Sequence, residues 1–273
     1  MKNTLLIATL LFCFQLSAQR KPKIKGSRIV TDVQENLPPF KAIELNDDLE
    51  VRLRKAPQEG YAITADDNLI DVLKFKVEDS VLTISSFYDI TAKKKLDITV
   101  NYSDIDVLTL HDGDTRMDGA IITDELKVYV LESAKLQLNA EASRMDIHME
   151  GNSSGDFTLK GKALNLVLND RADARIFAVS DTSNLKMHKN TSAKLEGTVG
   201  DVTINLFENS SLKAKDFESE KVVADLQGSS SAEVHAKSTV ELTSSGSSKT
   251  YVYGDGKIEL IEFLDTSELH REK

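Results

Sequence analysis

The chain has 273 residues, 34 of them basic and 44 acidic, a formal net charge of −10, one cysteine and no tryptophan. The acidic balance argues against nucleic-acid binding, which needs a basic surface to displace the counterions of phosphate. A lone cysteine excludes both an internal disulfide framework and a multi-cysteine metal site.

In chain order, residues 1–18 read as an export signal. Lys2 supplies the positive start, Leu5 to Phe14 the apolar stretch, and Leu16-Ser17-Ala18 a cleavage site before Gln19. That apolar run is too short for a stable bilayer span, and no later stretch qualifies. Cys13 lies inside the signal behind bulky Leu11-Phe12, which does not match a lipidation site. The mature chain is therefore expected to be soluble, without a thiol or a transmembrane segment. Residues 19–29 form a basic linker. The first 28 residues hold six basic groups and no acid, which leaves −16 for the remainder. Such an arm is either a solvated linker or an attachment to anionic lipid or polysaccharide.

Residues 30–105 are strand-rich without a regular beat. Phe40 to Leu45, Leu49 to Leu53, Tyr61 to Ala65, Val81 to Ser85 and Leu96 to Tyr102 alternate apolar and polar side chains, as half-buried strands do. Breaks fall at Asn46-Asp47-Asp48, Pro57 to Gly60, Glu78-Asp79 and Thr91 to Lys95, and Asp67 to Leu73 suits one helical turn. This part is expected to be a small β-layer capping the structure that follows, because an uncovered end exposes unpaired backbone.

Residues 106–273 repeat. Aliphatic starts recur at Leu108, Leu126, Met145, Leu164, Leu185, Val202, Val222, Val240 and Ile258, in steps of 17 to 21 residues. Each start opens a period-2 alternation whose inward members include Val128 and Val130, Ile147 and Met149, Leu166 and Leu168, Met187, Ile204 and Leu206, Ala224 and Leu226, and Leu242. Small turn-formers follow, as at Asn152 to Gly155, Asn209-Ser210-Ser211 and Ser245-Gly246-Ser247. A second strand then carries Leu136 and Leu138, Phe157 and Leu159, Ile176 and Ala178, Leu195, Val234 and Ala236, and Tyr251 and Tyr253. Strands and turns with a period near 20 and no helix between them predict an all-β, single-stranded parallel β-helix, or β-solenoid, with coils of about 19 residues. Coils stacked about 4.8 Å apart make a rod of roughly 40 Å. Ile258 to Glu272 is expected to cap the far end.

Several runs resemble one family. They are Phe40 to Leu45, Leu49 to Leu53, Asp67 to Ile70, Val77 to Ile84, and Leu96 to Tyr102 leading into Val107 to Leu110. Across about Ile29 to Gly256 the chain resembles the putative auto-transporter adhesin, head GIN domain family. The resemblance implies an exported β-helical protein, commonly of Bacteroidetes-type bacteria, with no enzymatic activity and no residue-level site. Members usually carry Ser-Gly-Ser-Gly-like turns. Here only Gly228 to Ser231 and Ser244 to Ser248 come close, and other turns are more charged, as at Arg171 to Arg175.

The candidate site is an outward column, the fourth residue of each unit: His111, Tyr129, His148, Val167, His188, Asn205, Asp225, Thr243 and Ile261. Its polar members, His111, Tyr129, His148, His188, Asn205 and Asp225, suit a shallow sugar-binding face; they also suit an ordinary solvated wall. Successive histidines roughly 10 Å apart cannot share a metal, whose nitrogen ligands sit at about 2 Å. Asp112-Gly113-Asp114 fails the EF-hand pattern, since Arg116 and Met117 stand where a ligand and a glycine are needed, so it reads as a turn. The triplets at Asn101, Asn152, Asn190 and Asn209 match a glycosylation acceptor but equally a turn. Short units leave no room for the loops that build a catalytic cleft, and Asp146 with Asn165 and Asp170 is an acid cluster in an acidic body. The expectation is an exported, non-enzymatic binding protein for polysaccharide or another surface ligand, without cofactor or metal. The alternatives are a periplasmic or envelope structural protein that binds another protein along an edge or open face and, remotely, a polysaccharide-active enzyme.

Overall fold

A computed structural model describes residues 21–272. The export signal, with Cys13, and the first residues of the basic linker lie outside the described residues. Apart from one helical turn, α1 (Asp67–Ile70), the regular structure is β. The short strands are β1 (Lys23–Lys25), β2 (Val30–Asn36), β3 (Ala42–Leu45), β4 (Glu50–Lys55), β5 (Gly60–Asp66), β6 (Leu73–Glu78), β7 (Val81–Ser86), β8 (Asp89–Ala92), β9 (Leu96–Tyr102), β10 (Val107–Leu110) and β11 (Asp114–Asp118). Long bent strands follow: β12 (Ile121–Val130), β13 (Lys135–Met149), β14 (Ser154–Leu168), β15 (Asp173–Met187), β16 (Ser192–Leu206), β17 (Ser211–Leu226) and β18 (Ser231–Ser244). The chain ends in β19 (Lys249–Tyr253), β20 (Lys257–Phe263) and β21 (Glu268–Arg271).

From β10 onward each coil pairs in parallel with the next, which makes a β-solenoid of about nine turns. Alternation decides which face is buried. Leu126, Val128, Val130, Met145, Ile147, Met149, Leu164, Leu166 and Leu168 are all at most 2% exposed. They stack directly on one another, Met145 on Leu126 and Leu164 on Met145. One backbone device recurs in every coil. Gly113, Glu132, Gly151, Asp170, Lys189, Glu208, Gly228, Gly246 and Asp265 all take positive φ, between 49° and 84°, one at each turn. The next residue's N–H then donates to the turn below, as Asn152 does to Glu132 and Asn190 to Asp170.

The register corrects the repeat in two places. Asp106 and Ser183, not Leu108 and Leu185, occupy the start position, since Leu108 stands beside Val128 and Ser183 lies between Leu164 and Val202. The true steps, counted from Asp106 to Ile258, run from 18 to 20 residues. Ser183 escaped the aliphatic pattern because it is a buried polar residue, satisfied by a 2.9 Å hydroxyl contact with buried Ser180. In β19 the parity is shifted by one: Thr250 and Val252 are buried, and Tyr251 and Tyr253 face outward.

The N-terminal β-layer is itself built partly of coils. β3 and β4 lie in parallel against β10 and β11, and β7 and β9 lie in parallel on their far sides. Stack order therefore departs from chain order, with β7–β3–β10–β12 along one wall. Beyond β7 and β9 the direction reverses. β6 runs antiparallel to β7 and β5 antiparallel to β9, with β2 outside β5. Reversal ends the repeat and covers the strand edges. The expected helical turn, α1, buries Leu69. The basic arm is tied down by β1 pairing with β8 and by the Lys21–Asp47 ion pair.

The far end differs from expectation. Ile258 to Glu272 does not fold over the solenoid; β20 and β21 add one more parallel coil on β18 and β19. That coil has a neighbour on one side only among the described residues, so its own apolar side chains are left exposed.

Candidate functional site

Outward side chains form straight columns because the parallel register is maintained from coil to coil. The column through Tyr129 reads Thr109, Tyr129, His148, Val167, Lys186, Asn205, Asp225, Thr243 and Glu262. Tyr129, His148, Asn205 and Asp225 are thus where the sequence places them. His111 and His188 are not. Both lie two residues further on, at the rim where strand passes into turn, and their N–H groups donate to Leu45 O at 2.9 Å and Leu168 O at 3.0 Å. The cause is the same misplaced start at Leu108 and Leu185. Ile261 is displaced as well, because a bulge opposite Leu242 and Thr243 brings Glu262 into register.

One polar centre lies in the column and another beside it, at the rim. Tyr129 and His148 sit side by side with ring centroids 6.3 Å apart and tilted by 49°. His148 Nε2 lies 3.4 Å from Glu150 Oε2. Next to them, Asp146 receives Arg144 Nε at 3.0 Å and Asn165 Nδ2 at 2.6 Å. Partial burial pushes the Asp146 carboxyl up, but the bonds from Arg144 and Asn165 outweigh it and hold it below the usual carboxylate range. An acid held ionised in this way is a poor proton donor. Asp170 is likewise held low, by Lys189 and by the Gly151 N–H. The second centre lies along the rim. His188 stacks on Phe207 with centroids 4.5 Å apart and planes 8° from parallel, and Lys186 Nζ stands 5.9 Å from the same ring. Burial, and then the Lys186 charge, lower the His188 pKa and so favour the neutral ring.

A second outward face lies on the second strands, outside the column read from the sequence. In β15, Ala174, Ile176 and Ala178 are inward, so Arg175, Phe177 and Val179 point out, and Phe177 remains 49% exposed. Thr158 and Glu196 flank Phe177 in register, and Arg175 grips Asp156 with two bonds of 2.6 and 2.9 Å. The signal is present in the sequence, as an aromatic at outward parity two residues after Arg175.

No group of three or more His, Cys, Asp or Glu side chains among the described residues is placed to hold a metal ion. Asp112-Gly113-Asp114 is one of the recurring positive-φ turns, and Asp114 is taken by Arg116 at 3.2 Å. No helix among the described residues is long and apolar enough to cross a membrane.

Comparison with known proteins gives one family and several structures. The family model described as putative auto-transporter adhesin, head GIN domain, matches residues 39–180 and 152–256. A crystal structure of a putative adhesin from Parabacteroides merdae superposes with a TM-score of 0.68 at 17% identity, covering 92% of this chain and 100% of that one. A putative lipid binding protein from Parabacteroides distasonis gives 0.65 at 17% identity, and a putative adhesin from the same species 0.61 at 15%, each with the same two coverages. At these identities the structural likeness speaks for the fold alone. No curated protein matches in sequence.

Proposed function

The chain belongs to the putative auto-transporter adhesin, head GIN domain family, and on that premise we propose that it is an exported, non-enzymatic adhesin whose long side wall binds a repetitive surface polymer, with polysaccharide as the ligand class. The observation that carries this reading is the register: outward groups recur in straight columns at coil spacing. A polymer lying along the rod meets an outward side chain at each coil, polar at every one but Val167, and weak contacts sum through effective concentration. Tyr129 and His148 supply adjacent ring faces for sugar C–H groups, with Glu150, Asp146 and Asn165 as hydrogen-bonding partners. The absence of enzymatic action is supported by the candidate acids being held ionised in ion pairs rather than poised to donate a proton.

The test has two arms. Protease shaving of intact source cells, with a periplasmic protein as internal control, should remove this protein and spare the control. Survival beside the control would sink the adhesin reading. In the second arm, purified protein is screened against a polysaccharide panel. Tyr129→Ala with His148→Ala should weaken the best ligand roughly tenfold or more, without release of reducing ends.

A further inference from the structure

The two ends of the solenoid are finished differently. At the N-terminal end β5 and β6 run antiparallel along β9 and β7 and cover them. At the other end β20 and β21 carry no further strand among the described residues. Ile258 and Leu260 continue the inward column of Val240 and Leu242, and Phe263 that of Ser244. Lacking a next coil, Leu260, Ile261 and Leu264 are 51%, 63% and 52% exposed, with Phe263 beside them at 38%. An apolar strand edge of this kind is a template for another strand.

The rule by which the coils already adhere says what that strand must look like. Inward, aliphatic side chains stack on aliphatic ones. Outward, a basic group of one coil meets an acid of the next: Arg175 with Asp156 at 2.6 Å, Lys160 with Glu141 at 3.4 Å, Lys221 with Glu241 at 2.5 Å, Lys237 with Glu218 at 2.9 Å and Lys249 with Glu268 at 3.1 Å. The outward side of β20 offers Glu259 and Glu262, with Asp255 and Asp265 flanking the strand. Its one lysine, Lys257, already reaches Glu259 at 2.8 Å. A second copy presenting this same edge would bring acid to acid.

We propose that β20 is a docking edge for an extended segment of a partner protein in which aliphatic residues alternate with Lys or Arg. The segment adds as one more strand, with its aliphatic side chains on Leu260 and Phe263 and its basic side chains beside Glu259 and Glu262. Main-chain hydrogen bonds supply affinity and the alternation supplies specificity. This inference does not depend on the side-wall reading: it concerns the end of the rod, and its probe is a peptide.

The test uses the full chain and a fluorescent, end-blocked seven-residue peptide of alternating lysine and leucine, read by polarisation. Binding to the wild type should weaken at least about tenfold in Leu260→Ser with Phe263→Ser, which leaves every charge in place. Glu259→Lys with Glu262→Lys should transfer preference to the peptide with glutamate in place of lysine. Melting curves check that both variants fold. No binding to the wild type, equal binding of the glutamate peptide by the wild type, or unchanged binding in both variants would overturn the proposal. So would a wild-type mass that doubles in light scattering and returns to monomer in the serine variant, since a second copy would then hold the edge.

Discussion

Single residues show where the stacked core is imperfect. Behind the positive-φ turns from Glu132 to Gly228 lies a buried corner position, occupied in successive coils by Ala134, Ser153, Ala172, Thr191, Ser210 and Ser230. Ser210 donates to Phe207 O at 2.9 Å, but the hydroxyls of Ser153, Thr191 and Ser230 have no partner among the described residues. A buried hydroxyl without a partner costs about 1–3 kcal/mol. Ser153→Ala, which copies Ala134 and Ala172, should therefore raise the urea midpoint, by about 1 kcal/mol of stability; a lowered midpoint would mean that the hydroxyl has a partner in solution. The opposite sign is expected at Gly151. Its φ is +79°, and an added Cβ would meet Glu132 O at 2.6 Å, so Gly151→Ala should lower the same midpoint.

At the scale of elements, the N-terminal arm and cap turn on one buried carboxylate. Asp66, at the end of β5, accepts the N–H groups of Lys94 and Lys95 at 3.0 and 3.1 Å and that of Arg28 at 3.2 Å. It thereby joins the arm, α1 and the loop before β9. The bond from Lys94 lowers its pKa below the ordinary 3.8; burial opposes this, and Arg28, Lys95 and the Lys94 charge add to the lowering. A folded pKa below the unfolded one means stabilisation present above about 3.8 and lost as pH falls through the folded value. In Asp66→Asn that acid-side loss should be absent, and the arm should be cut by protease at neutral pH while the solenoid stays protected. An Asn variant with wild-type acid sensitivity would show that Asp66 is not the pin. This joint is hidden in the sequence, because Lys94 and Arg28 are distant from Asp66 along the chain and only the fold brings them in.

For the whole molecule, stability follows from each coil touching only its neighbours. Interior coils such as β14 and β15 have two, whereas the coil of β20 and β21 has one among the described residues. Amide exchange should therefore be slowest in β13 to β17 and fastest in β20 and β21, with the N-terminal end intermediate because β5 and β6 cover it. Saturation of β20 with the lysine–leucine peptide should slow exchange there and leave β14 unchanged. Uniform exchange along the rod would instead indicate one all-or-none unit.

The sequence alone determined the all-β solenoid, the near-19-residue coil, the inward set from Leu126 to Leu242 and the turn composition. All of these are local consequences of period-2 alternation and of turn-forming residues at a fixed beat. Neighbouring columns were less legible. A start taken from the first aliphatic moved His111 and His188 onto the column of His148, and only paired backbones show that Asp106 and Ser183 hold those places. Register is a relation between strands, and one residue's shift turns a side chain to the other face, as at Tyr251 and Thr250. Tertiary structure alone decided the permuted stack at the N-terminal end, the Asp66 joint and the open edge at β20. Each depends on which segments meet in space, and alternation within one strand carries no record of its neighbour.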